Sequence, residues 1–323
     1  MSNTTRTDNN KTTSPTEISG SGWWDILKRV KTQLSNDHVQ IVAAGIAFYF
    51  FLAIFPAIAA FVSIYSLIMD PSSMNQQLSH LQGSLPSQAF GLIRDVMTSV
   101  SQQSQQALGW SIALSILFSL WSANKGTTAI FKGLNIAYHE SDDRSFIKRK
   151  AITLGITLLS IVVGVLSLGV IIAFPSYLSG LNLSGGLELL VGVLRWFLLG
   201  FIIMMGLSFL YKIGPDRDNP EFRWVSPGAV SASLLWLLGS LLFTWFVNNF
   251  GNFGNTYGGF ASVIILMLWF FLTAFIILLG AEINAESEHQ VRKDSTVGED
   301  DPIGQRDAHY ADRVASRNKR SAE

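Results

Sequence analysis

Cysteine is absent from all 323 residues of this chain. Disulfides, thiol nucleophiles and cysteine-ligated metals are therefore excluded. Charge is scarce too. Only 14% of residues are Asp, Glu, Lys or Arg, against about 25% in an average soluble protein. Basic and acidic residues number 23 each, so no basic excess points to nucleic acid. Five histidines are present, His38, His80, His139, His289 and His309, and none stands at metal-ligand spacing from another. There is no H-E-x-x-H, no Walker loop and no G-x-S-x-G. The carboxylates fall mostly in connectors and tails. A metal-dependent nuclease lacks its cluster here, and the expectation is a non-enzyme with no cofactor and no metal. The N-terminus lacks the apolar stretch of a signal peptide. Residues 1–22 are polar and read as a disordered tail, which leaves the first apolar run as an uncleaved targeting signal.

What the chain has instead is hydrophobicity, 49% of residues, gathered into runs of about 20, the length that crosses a hydrocarbon core. Six spans are expected, at about 42–68, 108–127, 151–174, 188–211, 226–248 and 260–282. In lipid each must be a helix, because backbone polar groups find no water there. Lys and Arg alternate between connectors. Lys28, Arg29 and Lys31 precede span one, and the long connector after it holds only Arg94. Lys132, Arg144, Lys148, Arg149 and Lys150 follow span two. Lys212, Arg217 and Arg223 separate spans four and five, and Arg292 and Lys293 follow span six. The connectors between spans three and four and between five and six carry none. This alternation places both termini in the cytoplasm. The expected fold is all-α: a polytopic six-helix transmembrane bundle over residues 23–286, with amphipathic interfacial helices.

One interfacial helix is expected at 23–34, with Trp23, Trp24, Leu27, Val30 and Leu34 near one face. One or two more are expected on the outer surface within 72–107, where Ile93, Val96, Met97 and Val100 repeat at helical spacing. Residues 287–323 alternate acids and bases and read as a solvated, disordered tail. Pro56 stands mid-span and should kink its helix. Ser226–Pro227–Gly228 reads as the start of span five, with Ser226 as N-cap and Pro227 at the first helical position.

The candidate site residues are polar groups in or near spans. Arg195 lies about 10 Å inside span four, where a guanidinium costs roughly 2.5–3.5 kcal/mol on insertion scales. Glu188 is two turns away on the same face. The pair reads as an anion or headgroup site, since guanidinium matches carboxylate or phosphate, or as an internal structural pair, or as snorkelling. Lys125 and Glu282 end spans two and six, where they pair across the bundle or act separately; Asn284 and Glu286 continue the polar end of span six. Asn248, Asn249 and Tyr257 mark the outer exit. They flank or lie within "FGNFGNTYGGF" (250–260), an uncharged connector that reads as a compact turn or a partly re-entrant plug.

Three stretches then carry a likeness: "AAGIAFYFFLAIFPAI", "LWSANKGTTAIFKGLNIAYHE", and the long run from "FRWVSPGAV" to "GAEINAE". Over about residues 24–290 the chain resembles the YihY/BrkB family of bacterial inner-membrane proteins. The resemblance implies six spans and an inner-membrane location. Such sequences have carried a ribonuclease label, and some members are linked to serum resistance or envelope lipid traffic. The expectation is a transporter or flippase-like protein for an amphiphilic, anionic envelope component, a lipid or glycolipid, with membrane lipids as its partners and nucleic acid not among them. The rivals are a scaffolding membrane protein and a ribonuclease-like hydrolase.

Overall fold

The computed structural model describes residues 14–68, 94, 105–168, 185–250, 260–291, 293–298 and 301–315. Among them the regular structure is helical: α1 (Gly20–Asn36), α2 (Val39–Ile68), α3 (Gln105–Tyr138), α4 (Phe146–Leu168), α5 (Gly185–Ile213), α6 (Phe222–Phe250) and α7 (Phe260–His289), after a short 3-10 turn at Pro15–Glu17. Helices α2 to α7 fall on the six expected spans, with residues 169–174 of the third outside the described residues. Four stretches, Val39–Ile58, Gly192–Ile213, Phe222–Val247 and Val263–His289, are long and apolar enough to cross a membrane. Phe197, Leu241, Leu242 and Trp245 stand exposed on the bundle, a surface suited to lipid rather than water. The fold is an all-α membrane bundle. The helical structure expected within 72–107 lies almost wholly outside the described residues, as does the 251–259 connector.

Helix α1 begins at Ser19, whose hydroxyl accepts from Gly22 N at 3.2 Å. It ends at Asp37, and His38 at φ +49° turns the chain into α2. Its buried face is Ile26 and Val30, packed on Ile283, with Trp23, Leu34 and Leu279 at the margin. Trp24 and Leu27 were expected on that face. They point away, 61% and 48% exposed, and Lys28 Nζ lies 5.5 Å over the Trp24 ring. Two faces are apolar, and only one packs on the bundle.

Glycine and small polar residues set the helix crossings. Gly228 of α6 meets Gly280 of α7 so closely that a Cβ on Gly228 would lie 2.0 Å from the Gly280 carbonyl oxygen. Asn284 locks this crossing. Its Oδ1 accepts from Gly228 N at 2.6 Å and its Nδ2 donates to Val225 O at 3.1 Å. Tyr211 of α5 donates to Ile277 O at 2.8 Å. Between α3 and α4, Asn124 donates to Thr153 (3.2 Å), and Thr157 donates to Thr127 (2.8 Å). These contacts give structural work to much of the polar content of the spans.

Two expectations need correction. Helix α6 starts at Phe222, so Pro227 sits inside it rather than at its first position. The carbonyl of Arg223, which Pro227 cannot reach for lack of an N–H, accepts instead from Ser226 Oγ at 2.8 Å. Second, α3 runs to Tyr138, well past 127. It closes with His139 at φ +55° and a Glu140 N–H to Asn135 O bond of 2.8 Å, a Schellman-type end. Pro56 lies inside α2, as expected of a mid-span position, and the helix runs on to Ile68.

The expected disordered tail is also revised. From Val291 to Ala315 its described residues dock on the connectors at the basic end of the bundle. Val297 N donates to Asn219 O, Glu221 N to Ser295 O, and Ala315 N to His289 O, at 2.8–2.9 Å. His309 N donates to Glu140 Oε1 at 2.7 Å. Val291, Ala308, Tyr310 and Ala311 are buried. Composition misleads here because the charges are matched rather than solvated: Arg306 donates to the carbonyls of Asp301 and Ala311 at 2.9 and 2.7 Å.

Candidate functional site

The sequence candidates do not assemble into one site. Arg195 and Glu188 share α5 two turns apart, and their side chains lie outside the described residues, as does that of Asn248. Tyr257 lies outside them entirely. Asn249 is exposed and donates back to Trp245 O of its own helix at 2.9 Å. Lys125 does not pair with Glu282. Its Nζ lies 5.6 Å over the Trp121 ring. The reason is register. Gly133 of α3 abuts Leu278 of α7, and both helices run toward the basic end. At about 1.5 Å per residue, Lys125 sits ~12 Å to one side of that level and Glu282 ~6 Å to the other.

What the fold does assemble is a buried polar junction where α7 ends. Glu282, Asn284, Glu286 and Glu288 are all buried. Glutamates at i and i+4 repel on a solvated helix, so this spacing demands cations from elsewhere, and two arrive. Arg29 of α1 binds Glu286 through Nε and reaches Gln290 Oε1 at 2.8 Å. Arg217 makes a two-pronged pair with Glu288 at 2.6 and 2.8 Å, both side chains fully buried. Ser295 adds a bond to Glu288 at 3.0 Å, and the Tyr138 ring lies 4.3 Å from the guanidinium carbon. Burial works against the charge on Arg217, but Glu288 more than offsets it and holds the guanidinium pKa above its ordinary value. Arg144 closes the neighbouring connector: it pairs with Asp216 at 2.8 Å and donates to the carbonyls of Ile213 and Gly214, both at 3.1 Å, complementing the negative end of α5.

Two histidines distant in sequence, His139 and His289, join the adjacent His309 around Tyr310. The rings of His139, His289 and His309 lie 5.0–5.3 Å from its ring. Burial, then Arg313 and the other two histidines, holds the His309 pKa below its ordinary value. Burial raises those of Glu140 and Tyr310. Among the described residues no group of His, Asp and Glu is arranged to hold a metal ion. Sequence reading pointed at Glu282, Asn284 and Glu286 but missed Arg29, Arg217 and Tyr310 as their surroundings. The acidic spacing was the one usable signal, and it named no partner.

Beside the junction the surface opens into a groove of about 370 Å³ lined by Lys31, Leu34, Ser35, His38, Gln40, Ile41 and Phe275. Beyond the α1 residues Lys31, Leu34 and Ser35, a second groove of about 270 Å³ follows between α2 and α7, lined by Ala44, Ala47, Val263, Ile264, Met267, Leu268 and Phe271. Helices α2 and α7 run antiparallel here, so the grooves succeed each other along one seam. From Phe275 to Val263 the seam runs ~18 Å, about half the ~30 Å hydrocarbon thickness. Its mouth offers a lysine, a hydroxyl and an imidazole; its body is apolar. That division matches an amphiphile with an anionic head and one chain in one leaflet. Lys31 enters no salt bridge among the described residues, which leaves its ammonium for an anion.

Comparison with known proteins agrees with a membrane role. A family model described as virulence factor BrkB matches residues 30–303. A putative ribonuclease-like protein, YfkH, from Bacillus subtilis is 30% identical over 264 residues, covering 80% of this chain and 94% of that protein. A UPF0761 membrane protein of Vibrio campbellii is 28% identical, covering 82% of each chain. Another from Alteromonas mediterranea is also 28% identical, covering 83% of this chain and 90% of its own. No solved structure matches significantly.

Proposed function

Since the chain belongs to the BrkB family of integral membrane proteins, we propose that it carries an anionic amphiphile of the cell envelope between membrane leaflets. The observation that carries this reading is the α2–α7 seam, with its cationic mouth at Lys31 and its apolar body from Ala44 to Val263. Such a seam lets a headgroup enter at the interface while its chain stays in lipid. The reading sets the basic end in the cytoplasm of a bacterial inner membrane, following the Lys and Arg bias. It assigns no catalytic step to the chain, and it leaves the ribonuclease-like name with the Bacillus relative. Arg195 and Glu188 belong to this proposal as a second headgroup station on α5.

The test is leaflet exchange of a headgroup-labelled phosphatidylglycerol in proteoliposomes. Wild-type protein is expected to accelerate exchange over empty vesicles. Lys31→Glu is expected to slow it by about tenfold, the loss of roughly 1.4 kcal/mol from one charge-assisted contact. Exchange at the empty-vesicle rate for wild type refutes the proposal. Unchanged exchange in Arg195→Ala removes Arg195 from it. Because the chain has no cysteine, single cysteines at 36 and 252 report topology: a membrane-impermeant reagent should label 252 from outside, and 36 only after permeabilisation.

A further inference from the structure

Glu282 is fully buried, and neither carboxyl oxygen has a hydrogen-bond partner among the described residues. It faces Asp37, at the joint between α1 and α2, whose Oδ2 is likewise buried and unpartnered. An ionised carboxylate only accepts. Two carboxylates facing each other in a buried site therefore repel and leave three oxygens unsatisfied, an arrangement that burial makes costly. Among the described residues no cation pairs with Glu282. Helix α2 carries no charged side chain, and the one charged side chain of α6, Arg223, pairs with Glu221. From α7 itself Glu286 adds negative charge, but Arg29 and His289 already occupy it. From α3 and from the docked 291–315 segment, the phenols of Tyr138 and Tyr310 lie in the same field. His139 reaches the other oxygen of Asp37, Oδ1, at 3.4 Å.

We propose that Glu282 and Asp37 together bind one proton, shared between their facing oxygens. The proton turns one acceptor into the donor that the site lacks. The proton comes from hydronium: one of its O–H bonds breaks as one O–H bond forms at a carboxylate oxygen, and water leaves. Asp37 directly precedes His38, which lines the groove. Proton occupancy thus acts on the α1–α2 joint one residue from the mouth of the seam.

The experiment is infrared spectroscopy of the full chain in lipid nanodiscs at neutral pH, with hydrogen–deuterium exchange to identify neutral carboxyl groups. Wild type is expected to show a neutral-carboxyl carbonyl stretch that is absent from Glu282→Gln and shifted or lost in Asp37→Asn. The glutamine amide supplies a permanent donor, so Glu282→Gln folds without the proton. A second measurement follows thermal stability against pH. A proton held by the folded state and released on ionisation makes wild-type stability fall as pH rises; Glu282→Gln reduces that fall, leaving the part that Glu140 contributes. A neutral-carboxyl band of equal size in wild type and Glu282→Gln overturns the proposal, as does no band in wild type. Stabilisation of wild type by sodium in place of the band overturns it in favour of a metal cation. Neither readout depends on lipid exchange, so this inference and the transport reading fail separately.

Discussion

Removing Arg217 tests the docked segment and the junction together. Its guanidinium makes two bonds to Glu288 at 2.6 and 2.8 Å with no solvent on either side chain. Arg217→Ala leaves Glu288 buried with only Ser295 as a donor among these partners. Breaking one member of a buried ion pair costs roughly 3–5 kcal/mol. Replacing both members by apolar residues of similar size, Arg217→Met with Glu288→Leu, leaves no stranded charge and should recover most of that loss. The assay is denaturant unfolding in a mild detergent, with hydrogen exchange over 291–315 as the local readout. In Arg217→Ala that segment should lose protection before the helices do, because Ser295 is held through Glu288. The reasoning is refuted by a loss below about 1 kcal/mol in the single variant, the size of an exposed pair. It is refuted too by a double variant as unstable as the single one.

Other outcomes follow from the crossings and the histidines. Gly228→Ala places a methyl group against the Gly280 backbone, which cannot give way like a side chain; unfolding should show a loss of about 3 kcal/mol or more. Asn284→Ala strands the Gly228 N–H and removes the bond to Val225 O, for a loss of about 2–4 kcal/mol on the same assay. His309 is held below its ordinary pKa. The folded state thus binds fewer protons there than the unfolded one, and the stabilisation from neutral His309 is present above about pH 6.5 and lost as pH falls below it. Exchange in the 291–315 segment should accelerate on acidification through that range in wild type, and much less in His309→Gln.

The bundle was legible in the sequence because span length and apolar content are local properties, and each expected span has a helix. Extents were less legible. Helix α3 continues past residue 127 because Thr127 and Asn135 are buried with polar partners, Thr157 and the Asp216 backbone, and hydropathy reads such positions as connector. The docked segment was hidden for the same reason: Asp294 spends its charge on Thr296 and Arg306, and composition alone cannot tell a paired charge from a solvated one. Partners such as Arg29 and Glu286 are more than 250 positions apart in sequence, and a single sequence carries no sign of such a meeting. The seam was missed because no one stretch contains it; it exists only where Ala44 and Ala47 pass Met267 and Phe271.

The most direct test of the amphiphile seam is to fill it. Ala47→Trp places an indole in the apolar groove between α2 and α7, while Ala44→Trp does so from an exposed position with less risk to the fold. Exchange of labelled phosphatidylglycerol between leaflets is then compared in proteoliposomes matched for folded protein. The account predicts acceleration by wild type and a fall to the empty-vesicle rate in both tryptophan variants. Acceleration that survives in a folded Ala44→Trp protein would contradict it.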